Sequence, residues 1–249
     1  MDLNTVAEVC APGGPWLPGD AWLAGGTYLF SEPQPHVRRL VDLTLHGWEP
    51  VLDHGGRVEI AATCTIEELV ESVPVRLVRE CAEAFLASFK IWHVATVGGN
   101  LCNALPAGPM ISLTTAFGGE CRVVAQDGTE RWTRDFVLGA GLRDLGEGEY
   151  LRSVTVVPHE RTAFRQCSLY GLGRSAALVI GTLGDGFRLT VTASTTRPHV
   201  LAFDRVPSEA ELSDEIALIN DWFDDVHGHP LWRRHMTFRL AEEIRRELS

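Results

Sequence analysis

Short apolar runs punctuated by glycine and proline, with no regular long-period repeat, set the texture of this chain. After a Gly/Pro-rich opening (residues 12–19), residues 21–24 read as a short buried strand running into Gly25-Gly26. A second apolar stretch covers residues 40–45. Over residues 57–61 Val58 and Ile60 alternate with Arg57 and Glu59, the period of a half-buried strand. Thr65 and Glu68 then have the spacing of a capping box, and Ile66, Leu69, Val70 and Val73 follow at helical spacing. This predicts a short amphipathic helix limited by Pro74. A second helix is expected over about residues 75–89, with Leu77, Val78, Cys81 and Phe85 facing inward.

Residues 96–103 read as a loop, and residues 109–117 as a helix closed by Gly118-Gly119. A strand is expected over 121–125 before the turn Asp127-Gly128, and another over 153–157, stopped by Pro158. Further on, the pattern predicts an apolar helix around residues 175–183 and an alternating strand at Leu189, Val191 and Ala193. An acidic stretch (209–215) precedes a final helix with Met236, Leu240, Ile244 and Leu248 four apart. The change of texture places a domain boundary near residue 160, giving units 1–160 and 161–249, the first divided at about residue 55. Strands and helices without regular alternation predict an α+β fold.

Composition narrows the function. The 249 residues are 45% hydrophobic and 22% charged, enough to bury a core in one or two domains. A net charge of -11 repels phosphate backbones and anionic lipid, so nucleic acid and membrane surfaces are poor partners. The N-terminus lacks the basic-then-apolar pattern of a signal peptide, and no apolar run is long enough to span a bilayer. The expectation is a cytoplasmic protein with free thiols. Its six scattered cysteines form no CxxC pair, and His227, His229 and His235 read as a polar loop before a helix, so no metal site is expected.

Two segments carry candidate chemistry: Leu23-Ala24-Gly25-Gly26-Thr27 and Ala95-Thr96-Val97-Gly98-Gly99-Asn100. Each is an extended run ending in paired glycines and a small polar residue. Glycine leaves the main chain bare, so consecutive N–H groups can converge on phosphate oxygens at short range. A glycine pair by itself also makes an ordinary turn. A looser G-x-G-x-x-A pattern at Gly171 to Ala176 lacks the buried strand before it and the acidic residue after it that a dinucleotide fold needs.

The stretch WLAGGTYLF resembles the first flavin loop of the FAD-binding subunits of molybdenum hydroxylases, and FKIWHVATVGGNLCNALPAG resembles the second. The intervening LVDLTLHGWEPVLDHGGRVEIAATCTIEELVES, the later RDFVLGAGLRDLGEGEYLRSVTVVP and the terminal WRRHMTFRLAEEIRREL are similar to the same family, so the likeness spans nearly the whole chain. It implies FAD held non-covalently in a two-subdomain PCMH-type fold (vanillyl-alcohol oxidase-like), followed by a small C-terminal α+β domain. By that resemblance Trp22, Leu23, Ala24, Gly25, Gly26, Thr27, Tyr28 and Leu29 wrap the pyrophosphate from one side. Thr96, Gly98, Gly99, Asn100 and Asn103 do so from the other. Leu151 approaches the flavin, and Arg165 stands where the family usually has lysine. The family further implies a separate molybdenum-cofactor subunit that oxidises substrate, and a separate [2Fe–2S] subunit that relays electrons. FAD would then pass them to NAD or another acceptor.

Several positions depart from the pattern. Tyr28 replaces the usual acidic residue, Trp92-His93 the usual Arg-Asn, and Pro109 an aspartate that contacts the cofactor. Residues 170–173 replace a charged run. These changes bear on affinity and flavin surroundings rather than fold. They leave two other readings open: a stand-alone flavin-dependent oxidase or reductase, and a flavin-free scaffold subunit.

Overall fold

The computed structural model describes residues 3–249. At its start three short strands share one ladder, with β1 (Glu8–Cys10) and β2 (Asp20–Leu23) both parallel to the central β3 (Arg39–Asp42). Parallel neighbours cannot be joined by a tight hairpin. The chain from β2 to β3 is therefore a long excursion, and it carries the first glycine loop.

A five-stranded antiparallel sheet follows, in the order β4 (Val51–Asp53), β5 (Val58–Ala61), β10 (Tyr150–Val156), β6 (Glu120–Val124), β7 (Glu130–Thr133). A small hairpin, β8 (Val137–Gly139) with β9 (Leu142–Arg143), precedes β10. Between β5 and β6 the chain forms α1 (Ile66–Ser72), α2 (Arg76–Glu83), α3 (Phe89–Trp92), α4 (Val97–Asn103) and α5 (Pro109–Ala116). The capping box at α1 forms as read: Thr65 Oγ1 accepts the Glu68 N–H at 3.2 Å and Glu68 Oε2 accepts the Thr65 N–H at 2.8 Å.

The third unit is an antiparallel meander of β11 (Arg161–Ser168), β12 (Ser175–Leu183), β13 (Phe187–Thr192) and β14 (His199–Phe203), with α6 (Glu209–Ala217) and α7 (Pro230–Leu248) behind it. Leu178 and Ile180 of β12 join the core built around α1, α2, α4 and α5, while Ala177 and Val179 pack with Leu240, Ala241 and Ile244 of α7. Buried Ser112 of α5 and Thr192 of β13 share a 2.6 Å hydrogen bond across the same junction.

Three expected elements differ. The helix expected at 175–183 is the strand β12. It is buried on both faces, so its sequence is a continuous apolar run that carries no period. The helix expected over 75–89 breaks after Glu83. Leu86 takes the left-handed conformation (φ 51°) with no glycine or proline nearby to announce it, and α3 starts anew after Ser88. The loop expected at 96–103 is α4. Thr96 caps it, its Oγ1 accepting the Gly99 N–H at 3.0 Å. Its glycines serve packing: a Cβ on Gly98 would lie 2.5 Å from Ala62 Cβ and 2.6 Å from Ala62 O.

Candidate functional site

The two glycine loops, about seventy residues apart in sequence, meet in space. Gly25 lies directly against the Val94 carbonyl, and a Cβ there would fall inside it. Gly26 is left-handed (φ 68°), and its carbonyl accepts the Phe30 N–H at 2.8 Å, curling the loop back. The N–H groups of Gly25, Gly26, Thr27, Tyr28 and Leu29 have no hydrogen-bond partner among the described residues, and neither has the Thr27 hydroxyl. Five consecutive unpaired donors on a glycine-opened loop have the donor chemistry of a phosphate cradle.

The second loop works differently from the sequence expectation. Its amides are already committed: Val97 N–H donates to Cys64 O, Gly98 N–H to Ala62 O (both 2.9 Å), Gly99 N–H to Thr96 Oγ1 and Asn100 N–H to Thr96 O. Side chains remain. Asn100 Oδ1 accepts the Met110 N–H at 3.0 Å, capping α5 and leaving the Asn100 amide group without a protein partner; the Asn103 side chain also has none among the described residues. Pro109 opens α5 as its first residue and is buried, so no carboxylate is offered there. Thr96 itself is buried.

The remaining expected side chains make other contacts or face solvent. Trp22 donates its indole N–H to Glu149 O at 3.0 Å and packs on Trp16 and Tyr150, with ring centroids 4.8 and 4.9 Å away. Leu151 buries its side chain in the core, 2% exposed. Arg165 binds two carboxylates of α7, Glu243 at 3.3 Å and Glu247 at 2.6 Å. Tyr28 is exposed, and His93 pairs with Glu67. The indole N–H of Trp92 is buried without a partner.

Sequence reading did not find the wall behind Trp22. His46 stacks on Trp48 at 4.4 Å, and the Arg152 guanidinium lies 4.2 Å from the same indole centroid. These residues come from two stretches about a hundred positions apart, and no local pattern marks them as neighbours. Glu149, which anchors Trp22 through its carbonyl, is fixed by Arg131 (2.8 Å) and the Gly146 N–H (2.7 Å). These contacts, Arg131 first, hold its carboxyl below the ordinary 4.5. A depressed carboxyl stabilises the fold fully above its ordinary value, and that contribution is lost as pH falls through the lower folded value. Acidification below about pH 4.5 is therefore expected to loosen the Trp22 anchor. The readout is a red shift of tryptophan emission that Trp22→Phe lacks.

Burial raises the Cys64, Cys81, Cys102 and Cys121 thiols, Cys102 to about 12, which keeps them protonated and unreactive. Among the described residues no cluster of histidines, cysteines and carboxylates is placed to hold a metal, and no helix is long and apolar enough to cross a membrane. His229 serves as the N-cap of α7, its Nδ1 accepting the Leu231 N–H at 3.2 Å.

An α+β chain whose glycine-opened donor loop leaves a small parallel sheet and lies against the α3–α4 connection has the features of a flavoprotein of the two-subdomain type. The family model described as the FAD binding domain in molybdopterin dehydrogenase matches residues 14–159, and the chain belongs to that family. It is an oxidoreductase subunit, and its cofactor is FAD. Solved structures agree in fold. A chain of quinoline 2-oxidoreductase from Pseudomonas putida 86 superposes with a TM-score of 0.77 at 19% identity, covering 97% of this chain and 96% of that one. Reconstituted CO dehydrogenase from Oligotropha carboxidovorans gives 0.78 at 20% identity, with 97% and 98% covered. Carbon monoxide dehydrogenase from Hydrogenophaga pseudoflava, lacking the Mo-pyranopterin moiety of its cofactor, gives 0.77 at 19%, with 98% and 97% covered. No curated protein matches.

Proposed function

We propose that this chain is the FAD-carrying electron-transfer subunit of a cytoplasmic molybdenum hydroxylase-type complex. It would work beside a [2Fe–2S] subunit and a molybdenum-cofactor subunit. The observation that carries the site is the run of five unpaired N–H groups from Gly25 to Leu29 against Val94. These amides and the Thr27 hydroxyl hold the pyrophosphate. From α4, Asn100 and Asn103 contribute side-chain donors, while Thr96, Gly98 and Gly99 shape the opposite wall. Trp22, Leu23 and Ala24 set the loop's departure from β2, with Tyr28 at its exposed edge. Leu151 contributes shape from the core, and Arg165 reaches the cofactor only by leaving Glu243 or Glu247.

The amides of Gly25 to Leu29, with Asn100 and Asn103, would hold FAD, which when bound would supply the redox chemistry linking an iron–sulfur partner to NAD or another acceptor. The protein's part is binding and orientation. The four α4 amides already satisfied within the protein stiffen one wall, so the donor loop is the part left to adapt.

The purified chain is expected to be yellow and to release FAD at about one per chain on denaturation. With its partners absent it should turn over no organic substrate. A colourless protein that takes up no FAD in excess cofactor would overturn the reading in favour of a scaffold. Substrate turnover by the chain alone would favour a stand-alone flavoenzyme.

A further inference from the structure

Away from the glycine loops, a cleft of about 360 Å³ opens at one end of the junction between the five-stranded and four-stranded sheets. Its floor is apolar, made by Leu101 of α4, Ile111 of α5, Phe136 and Val154 of β10. Its rim carries three arginines from three stretches: Arg134 beyond β7, Arg188 on β13 and Arg197 ahead of β14. Arg134 has one loose partner, Glu120 at 3.5 Å. Arg188 and Arg197 have no carboxylate within ion-pair distance among the described residues. Asp135 is the single acid in the lining, leaving an excess of positive charge inside a chain whose net charge is -11.

Some guanidiniums of this chain are matched, as in Arg122–Glu130, Arg205–Glu211 and Arg246–Glu242, while others on the surface, such as Arg79 and Arg161, have no carboxylate within ion-pair distance among the described residues. What sets Arg188 and Arg197 apart is that both line one apolar hollow. A low-dielectric wall focuses their field into the cleft, and the planar fork of arginine matches a carboxylate or phosphate edge. The adjacent end of α5 does not oppose an anion with bare carbonyls. Leu113 O, Thr115 O and Thr114 O already accept the N–H groups of Phe117, Gly118 and Gly119 at 3.1, 3.0 and 2.7 Å. The volume sits at the lower end of the range for small-molecule sites, roughly 300–1,000 Å³.

We propose that this cleft is a second ligand site, taking a small organic anion. Its aromatic or aliphatic body lies on the floor, and its carboxylate or phosphate sits between Arg188 and Arg197. None of the residues assigned to FAD lines it, so the site stands apart from the flavin reading. Because its walls come from both sheets, occupancy ties the two units together and stabilises the native chain.

The test uses the full chain saturated with FAD and the probe 1-anilinonaphthalene-8-sulfonate, an aromatic body with one anionic group, titrated by calorimetry. One saturable site per chain is expected, with a concentration-dependent rise in melting temperature. The double substitution Arg188→Gln/Arg197→Gln should weaken binding by about tenfold or more while leaving the FAD content unchanged. Arg188→Lys/Arg197→Lys should keep most of the affinity. No saturable binding, equal binding by the glutamine variant, or release of FAD in step with probe uptake would each overturn the proposal.

Discussion

Gly25→Ala is expected to strip the protein of FAD. The added methyl carbon would occupy the position of the Val94 carbonyl, and that obstacle is backbone, which no rotamer change can clear. The loops must part, and with them the apposition of Gly25 and Val94 that holds the run of unpaired amides from Gly25 to Leu29 against the second loop. Forcing atoms into a packed interface costs about 3 kcal/mol where the neighbours cannot yield. If that cost falls on the binding-competent loop conformation, FAD affinity drops by about a hundredfold. The measurement is FAD retained after dialysis, followed by titration of the stripped protein. Gly171→Ala is the control, since nothing lies within 4 Å of the carbon added there and its FAD content should match the parent. Near-normal affinity in Gly25→Ala would mean the loop apposition is not what forms the site.

Arg233→Met is expected to produce the largest loss of stability. The Arg233 side chain is 1% exposed and closes the third unit from inside. Its Nε donates to Gly228 O at 2.8 Å, and Nη1 donates to Ala176 O at 2.7 Å and Ala193 O at 2.6 Å. Nη2 pairs with Asp225. Methionine keeps much of the volume but leaves three carbonyls and a carboxylate without their donor. Breaking a buried ion pair by removing one partner costs about 3–5 kcal/mol. Ala193 adds to the effect because it sits in the left-handed region (φ 63°), a conformation an alanine keeps only when held. It is held from two sides, its carbonyl by Arg233 and its N–H by Pro106 O at 2.8 Å in the α4–α5 connection. Loss of the clamp should therefore loosen the third unit from α4 and α5 as well. A fall in melting temperature of about 10 °C is expected from calorimetry. An unchanged transition would show that water replaces the guanidinium at little cost.

Legibility in the sequence followed the range of the interaction. The capping box at Thr65 and Glu68, the helix of Pro109 closed by glycines, and the spacing of Leu240, Ile244 and Leu248 on α7 were all readable. Each depends on residues within one or two turns of each other. β12 was not readable as a strand, because burial between α5 and α7 erases alternation; Gly181 in it lets Ile244 and Leu248 of α7 approach the sheet. The glycine pair in α4 was misread for a related reason. Glycine is the residue of turns, and only the nearness of Ala62 shows that Gly98 is there to let a helix touch the chain just beyond β5.

The sequence by itself determined the α+β class, the two glycine loops and, through the ordered set of family-like stretches, the flavin cofactor. Those depend on which side chains and bare backbone positions the chain carries, and on their order. Only the tertiary structure decided which amides are free to bind anything. Hydrogen-bond capacity is shared across contacts that sequence does not record: Cys64 and Ala62 had taken the Val97 and Gly98 donors and Thr96 those of Gly99 and Asn100, while those of Gly25 to Leu29 were left unpaired.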